Sequence, residues 1–259
     1  MESISKARLK QLRALTSRKG RDEQGLFIGE GPYLLEEALK AQVMPRFVVV
    51  SEKHEGPRDK VQSLLERCAK ESIECVSAGE AEFAECADTV NSQGVLAVFA
   101  IPHYELPPLL ERHDLTLLVL DNIREPGNLG AICRHAAAFD CGGLLLLKGC
   151  VDAWNNKAVR ASMGAILHVP VETDVALESL PARYERIATL DMQGESIATP
   201  AFRDHQCFVY GSEARGLPKE ALASVEARAF TIAGSGAIES LNLAATVAIC
   251  QFELHRVSA

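Results

Sequence analysis

The stretch LTLLVLDNIREPGNLGAICRHAAAFDCGGLLLL, residues 115–147, decides the fold. An apolar run ends at Asp121, and a loop with Pro126, Gly127 and Gly130 follows. A helix is expected from about Asn128 to Phe139, and then a second apolar run, GGLLLL, at 142–147. Two strands with a helix between them read as one βαβ unit, whose strands lie parallel. Runs that are apolar throughout, rather than at alternate positions, belong to strands covered on both faces.

Toward the C-terminus the alternation continues. NKAVRASMGA has helical spacing, HVPV is short and extended, and ALESLPARY reads as a helix. RIATLD (186–191), CFVYG (207–211) and RAFTIA (228–233) are three further strands, and LNLAATVAICQFELHR is a long, nearly all-apolar helix. Toward the N-terminus, IPHYELPPLLERHD (101–114) carries three prolines and no clear period, as a linker does. Before it, LFIG (26–29), RFVVV (46–50), IECV and GVLAVFA (94–100) alternate with the helical patterns GPYLLEEALKA, RDKVQSLLERCAKES and AEFAECA. Residues 4–20 read as one helix with Ile4, Leu9, Leu12 and Leu15 on its apolar face and Ser3 or Ser5 as its cap. The expected organisation is a smaller α/β domain over 1–100, a linker over 101–114, and a larger α/β domain over 115–259.

The whole composition fits this plan. The chain has 259 residues, 47% of them hydrophobic and 24% charged, which suits two soluble globular domains. No run of eighteen apolar residues is present, so no membrane span is expected. The basic N-terminus lacks the apolar core of a secretion signal and passes only loosely for a transit peptide. The eight cysteines include no C-x-x-C pair, which argues against a zinc ribbon or a redox motif, and no metal is expected. In a chain without a secretion signal they read as reduced, and the expected location is cytoplasmic. The net charge of −8 argues mildly against a nucleic-acid partner, but its distribution matters more. Lys6, Arg8, Lys10, Arg13, Arg18, Lys19 and Arg21 follow one another with no acidic residue between them. Such a stripe is either a solvated helix face or a phosphate-contacting surface.

In a parallel sheet the ligand sits at the carboxyl ends of the strands, so three strand-end loops are the candidates. The first, after Asp121, leads into a helix bearing Asn128 and Arg134. The second is FVYGSEARGLP (208–218), with Gly211, Glu213 and Gly216. The third is TIAGSGAIESLNLAATVAI (231–249), where Gly234 and Gly236 precede Glu239, Ser240 and Asn242. Plain structural roles exist for each: Asn128 or Ser240 as a helix cap, Arg134 as a salt-bridged surface residue, the glycines as turn formers. Neither a dinucleotide-binding G-x-G-x-x-G nor a P-loop is present. Glycine loops after buried strands let a ligand approach backbone amides, but they do not name it.

Taken together, the three segments resemble the motifs of the SpoU (TrmH-type) branch of the SPOUT RNA methyltransferases. The first motif is matched by Asp121, Glu125, Pro126, Asn128, Gly130, Ala131, Ile132, Arg134 and Ala136. The second is matched by Gly211, Ser212, Glu213, Gly216 and Leu217, and the third by Glu239, Ser240, Leu241, Asn242 and Leu243. KAVRASMGAILHVPV (157–171) is similar to the segment between the motifs. The N-terminal half is similar to the family's ribosomal-protein-L30-like (L30e-like) substrate-binding domain, through its basic helix, GLFIGEGPYLLEEAL and SQGVLAVF.

The resemblance implies a parallel-sheet α/β domain with a deep trefoil knot, active as a homodimer. It implies S-adenosyl-L-methionine as cofactor, held by Gly211, Ile232 and Leu241 with Ser240 and Asn242 supporting the loop. It implies transfer of a methyl group to a ribose 2′-hydroxyl, with Arg134 as the catalytic group, Asn128 helping to orient it and Glu213 organising the site. Arg134 would act either as the base or as a stabiliser of developing oxyanion charge; a free guanidinium is a poor base. Lys6, Arg8, Lys10, Arg13, Lys19 and Arg21 would contact RNA, rRNA rather than the alternative, tRNA. Two departures stand out. His135 occupies a position where threonine is usual, and Thr231-Ile232-Ala233-Gly234 stands where many members have Ile-Pro-Met, which unsettles the detailed cofactor contacts. Competing readings are a catalytically silent knotted RNA-binding protein and an unrelated nucleotide-binding α/β enzyme.

Overall fold

A computed structural model describes residues 1–53, 58–89, 92–104, 115–212, 216–217, 225–235, 237 and 240–256. Two compact units result. One comprises Met1–Pro102 with Trp154–His168, the other His103–Ala153 with Val169–Ala259. Most of the expected linker, 105–114, lies outside the described residues.

The first unit is built on strands β1 (Glu2–Ser3), β2 (Leu26–Glu30), β3 (Phe47–Ser51), β4 (Glu74–Ala78) and β5 (Val95–Ala100), in the order β1-β4-β3-β5-β2. β1 and β3 run parallel to β4, while β5 is antiparallel to both β3 and β2. The expected single helix over 4–20 is two helices, Lys6–Leu15 and Arg18–Gln24. Hydroxyls break it: Thr16 Oγ1 and Ser17 Oγ donate to the carbonyls of Arg13 and Ala14, and Ser17 Oγ then accepts from the Gly20 N–H at 3.1 Å. Side chains of this kind compete with the helical ladder and start a new helix instead. Ser5, rather than Ser3, caps the first helix through the Arg8 N–H. Leu9, Leu12 and Leu15 are buried against the sheet, as the spacing requires.

The segment 154–168 packs within this first unit, although the sequence pattern reads it as part of the second domain. Trp154 lies 4.8 Å from the Phe27 ring, which in turn stacks on Phe99 at 5.3 Å. Its helix, Asn156–Ala161, buries Ala158 and Val159, and Arg160 pairs with Asp88. Apolar spacing marks a buried face but does not say which core receives it.

The second unit carries β6 (Leu117–Leu120), β7 (Gly143–Leu147), β8 (Val171–Val175), β9 (Ile187–Ser196), β10 (Cys207–Tyr210) and β11 (Arg228–Thr231). Their order is β11-β9-β10-β6-β7-β8, and every pairing is parallel. β6, β7 and β10 are buried along their whole length, as continuous apolar runs require. ALESLPARY forms only a 3-10 turn, Leu177–Ser179, because Pro181 cannot donate to a continuing helix. From β6 the chain builds outward through β7 and β8, then resumes on the other side of β6. The strand order therefore reverses between β6 and β10, which remain hydrogen-bonded neighbours, and the carboxyl ends at such a switch point are where sheets of this kind take ligands.

Candidate active site

Leu120 ends β6 and Tyr210 ends β10, and the Asp121 N–H still donates to the Tyr210 carbonyl at 2.9 Å. The first and second loops therefore leave the sheet side by side. After Asp121 comes the helix Pro126–Ala138, with proline at its first turn. Its cap is Glu125, whose carboxylate accepts from the Gly127 N–H at 3.2 Å. Asn128 is thus released from the capping role and accepts instead from Asn242, Nδ2 to Oδ1, at 3.0 Å.

Asn242 has two tasks. Its Oδ1 accepts from the Ala244 and Ala245 N–H groups at 2.9 and 3.3 Å, capping the helix Leu243–His255. Ser240, the residue a cap search would choose, is exposed and outside the helix. One amide therefore caps the C-terminal helix and ties it to the helix after β6, so the first and third loops are joined side chain to side chain. Asn242→Ala should destabilise the protein by about 1–2 kcal/mol through the lost cap. Asn128→Ala should cost about 0.5–1 kcal/mol, and less in the Asn242→Ala background, as a urea-denaturation double-mutant cycle would register. Strict additivity would mean that the amide pair contributes nothing.

The second loop closes on itself. The Gly216 N–H donates to the Ser212 carbonyl at 2.9 Å, and Ser212 Oγ lies 3.4 Å from the Gly216 carbonyl. Gly211 sits against this closure with no room for a side chain. Glu213 lies outside the described residues, as do Gly236 and Glu239 of the third loop. Beyond β11, the backbone of Ile232–Ser235 and of Ser240–Leu241 makes no backbone–backbone hydrogen bond among the described residues. Leu241 is 43% exposed. Uncommitted amides and carbonyls beside a glycine loop suit a ligand held through the main chain, such as an adenine ring.

Arg134 is exposed on the helix Pro126–Ala138 and has no hydrogen bond or ion pair among the described residues. It stands six positions beyond Asn128, roughly 240° round the helix, and no bond joins the two side chains. The neighbouring His135 has its pKa lowered, chiefly by burial and then by the Arg134 charge. Its ring should therefore be neutral at pH 7. In an NMR titration its midpoint should lie below that of an exposed histidine and move up in Arg134→Ala. An unmoved midpoint would show that the guanidinium does not act on it. Burial pushes the Cys133 thiol up to about 12 and Cys141 to about 11, so neither is a nucleophile at neutral pH.

The basic stripe is less free than the sequence suggests, because folding brings acids to it. Arg8 pairs with Glu74 at 2.6 Å and lies over the Phe47 ring, and Arg13 pairs with Glu85 at 2.5 Å. Arg18 and Lys19 face Asp22 and Glu23 one turn on. Arg21 is buried and donates to the Leu15 carbonyl at 2.8 Å, holding the two N-terminal helices together. Lys6 and Lys10 have no ion-pair partner among the described residues. Among those residues, no cluster of His, Cys, Asp or Glu is placed to hold a metal ion, and no helix is long and apolar enough to cross a membrane.

Comparison with known proteins agrees with this geometry. Residues 115–252 match the model of the SpoU rRNA Methylase family, and residues 6–97 match that of the MRM3-like substrate binding domain. The chain is 36% identical over 172 residues to the human protein named rRNA methyltransferase 3, mitochondrial; that match spans 64% of this chain and only 39% of the human protein. It is 25% identical over 262 residues to the 23S rRNA (guanosine(2553)-2′-O)-methyltransferase RlmP of Bacillus subtilis, covering 98% of each. A crystal structure described as an AdoMet-bound rRNA methyltransferase from Sinorhizobium meliloti superposes with a TM-score of 0.83 at 25% identity, covering 100% of this chain and 98% of that one.

Proposed function

This chain belongs to the SpoU rRNA methylase family, and on that premise we propose that it transfers a methyl group from S-adenosyl-L-methionine to a ribose 2′-hydroxyl of ribosomal RNA. The observation that carries this reading is the Asn128–Asn242 bond, which joins the first and third motif segments beyond the switch point between β6 and β10. The relatives' names supply the substrate class, and RlmP supplies the 2′-hydroxyl. The closure of Ser212 on Gly216, and the backbone of Ile232–Ser235 and Ser240–Leu241, which makes no backbone–backbone hydrogen bond among the described residues, fit the cofactor. When bound, S-adenosyl-L-methionine supplies a methyl group on a positively charged sulfur.

The protein's own residues must then place the hydroxyl oxygen and manage its proton. A new oxygen–carbon bond forms as the sulfur–carbon bond breaks, and the hydroxyl proton leaves. Arg134 presents a solvated guanidinium with no carboxylate partner among the described residues, an arrangement suited to stabilising the oxygen as its charge grows. Guanidinium holds its proton too firmly to be the natural acceptor, so we assign the final acceptor to water or an RNA phosphate. Asn128 and Asn242 act as positioning residues, and the resemblance assigns Glu213 the role of organising the site.

A homodimer and a trefoil knot belong to the same reading. The helix Leu243–His255 is largely apolar, and Ile249 and Phe252 are 37% and 59% exposed, a surface a second copy would cover. The chain returns from the outermost strand β11 to pack this helix beside Pro126–Ala138, next to the middle of the sheet, as a threaded chain would. All eight cysteines are free, which supports a reducing compartment such as the cytoplasm. The first unit would contribute to RNA docking, and Lys6 and Lys10 are the residues of its basic stripe that have no ion-pair partner among the described residues.

The test is direct. The purified protein with radiolabelled S-adenosyl-L-methionine should methylate rRNA from cells lacking the gene, and reverse-transcription mapping should place the label on one ribose. Methylation of tRNA instead would move the substrate. No incorporation into either RNA would refute the reading.

A further inference from the structure

The described arginines of the second unit fall into two groups. Arg183, Arg203, Arg228 and Arg256 each pair with a glutamate, and Arg186 also has a partner. Arg124 and Arg134 have no carboxylate partner among the described residues, and both belong to the segment that opens the first motif. Two guanidiniums without a carboxylate partner among the described residues, both within fifteen residues of the end of β6 in a chain of net charge −8, suit an anion.

Arg124 is held in place. Its Nε donates to Asn122 Oδ1 at 3.2 Å, which leaves both Nη groups uncommitted among the described residues. Asn122 adopts a left-handed backbone at φ 50°, a conformation asparagine tolerates better than most residues. Gly149, at φ 96°, backs onto the same oxygen, so that a Cβ there would lie 3.7 Å from it. The register of β6 on β7 sets Leu120 opposite Leu146, which brings Lys148 to the same edge. Lys148 is exposed and has no carboxylate partner among the described residues. Of the nearby acids, Glu125 caps its helix and Asp152 has its own partner.

We propose that Arg124, tethered through Nε by Asn122 and joined by Lys148, binds a backbone phosphate of the RNA and so positions the ribose that Asn128 and Arg134 serve. The inference rests on the RNA-methyltransferase reading above. A guanidinium fixed by one nitrogen presents its remaining N–H groups as a fork, the geometry that matches two phosphate oxygens. Such a contact carries no sequence information; it fixes register, as phosphate contacts do.

The experiment measures filter binding of rRNA from cells lacking the gene across a KCl series, together with methylation kinetics. Arg124→Gln should weaken RNA binding roughly tenfold and lower the slope of log K against log salt by about 0.7–0.9, one phosphate contact. Asn122→Gly keeps the left-handed backbone and the charge but removes the tether. It should leave the salt slope intact while lowering kcat/KM severalfold, an effect that loss of charge alone would not give. Calorimetric S-adenosyl-L-methionine affinity and Tm should not move in either variant. If wild type methylates this RNA but Arg124→Gln retains its affinity and slope, the phosphate assignment is wrong. If wild type neither binds nor methylates the RNA, the function reading fails and the assignment falls with it.

Discussion

Arg134→Ala is expected to lower the methyl-transfer rate about 10²–10³-fold, the loss that follows removal of one preorganised oxyanion donor. Cofactor affinity by calorimetry and thermal stability should stay at wild-type values, because Arg134 is exposed and makes no hydrogen bond or ion pair among the described residues. That independence makes the variant informative, since activity should fall without a structural cause. Arg134→Lys separates the two chemical roles. An ammonium preserves positive charge but loses the planar fork, so a purely electrostatic role predicts recovery of part of the rate. A proton-accepting role predicts a different pH dependence for the lysine variant, whose amine releases its proton at lower pH than guanidinium. Near-normal turnover in Arg134→Ala with the true RNA would remove Arg134 from the chemistry altogether.

Most of the second unit was legible in the sequence because its strands are apolar on both faces. LLVL, GLLLL and CFVY could only be central strands, and the loops after them could only gather at one edge. The order β11-β9-β10-β6-β7-β8 was not legible, since it depends on which strand edges meet after long crossovers. At the site, local preference misled at Ser240 and at Asn128, both good caps that do not cap. Glu125 and Asn242 took those tasks because proline at the first turn of one helix and the Asn128–Asn242 pairing set where each helix begins. The basic stripe shows a limit of another kind. Lys6 to Arg21 contains no acid in sequence, yet Glu74 and Glu85 arrive from elsewhere in the fold and pair with Arg8 and Arg13. Arg21 answers to a carbonyl inside the protein rather than to a ligand. Charge read along a chain therefore overstates the charge a surface offers. The role of Arg124 was hidden for the opposite reason: its partner, Asn122, matters only through a left-handed turn that the residue type permits but does not require.

Gly211→Ala is expected to cost at least tenfold in S-adenosyl-L-methionine affinity, through the shape of the loop rather than through any lost contact. A Cβ at this position would lie 2.3 Å from the Gly216 carbonyl carbon and 2.5 Å from the Leu217 nitrogen. Both neighbours are backbone, so no side chain can swing aside. The loop must open, and opening it strains the bond between the Gly216 N–H and the Ser212 carbonyl. Overpacking of this kind costs about 1–3 kcal/mol, so the protein should remain folded with a lowered Tm. Gly234→Ala is the matched control for stability, since a Cβ there meets nothing within 4 Å among the described residues and should leave Tm unmoved. Gly216→Ala tests the same loop by another route: its φ of 64° penalises any side chain by roughly 1–2 kcal/mol, but a Cβ meets nothing within 4 Å among the described residues. If the closed loop holds the cofactor, Gly211→Ala should lose affinity most, Gly216→Ala less, and added S-adenosyl-L-methionine should raise Tm least where affinity is weakest. Wild-type affinity in a folded Gly211→Ala protein would place the cofactor away from this loop, and with it the carried-over assignment of Gly211, Ile232 and Leu241.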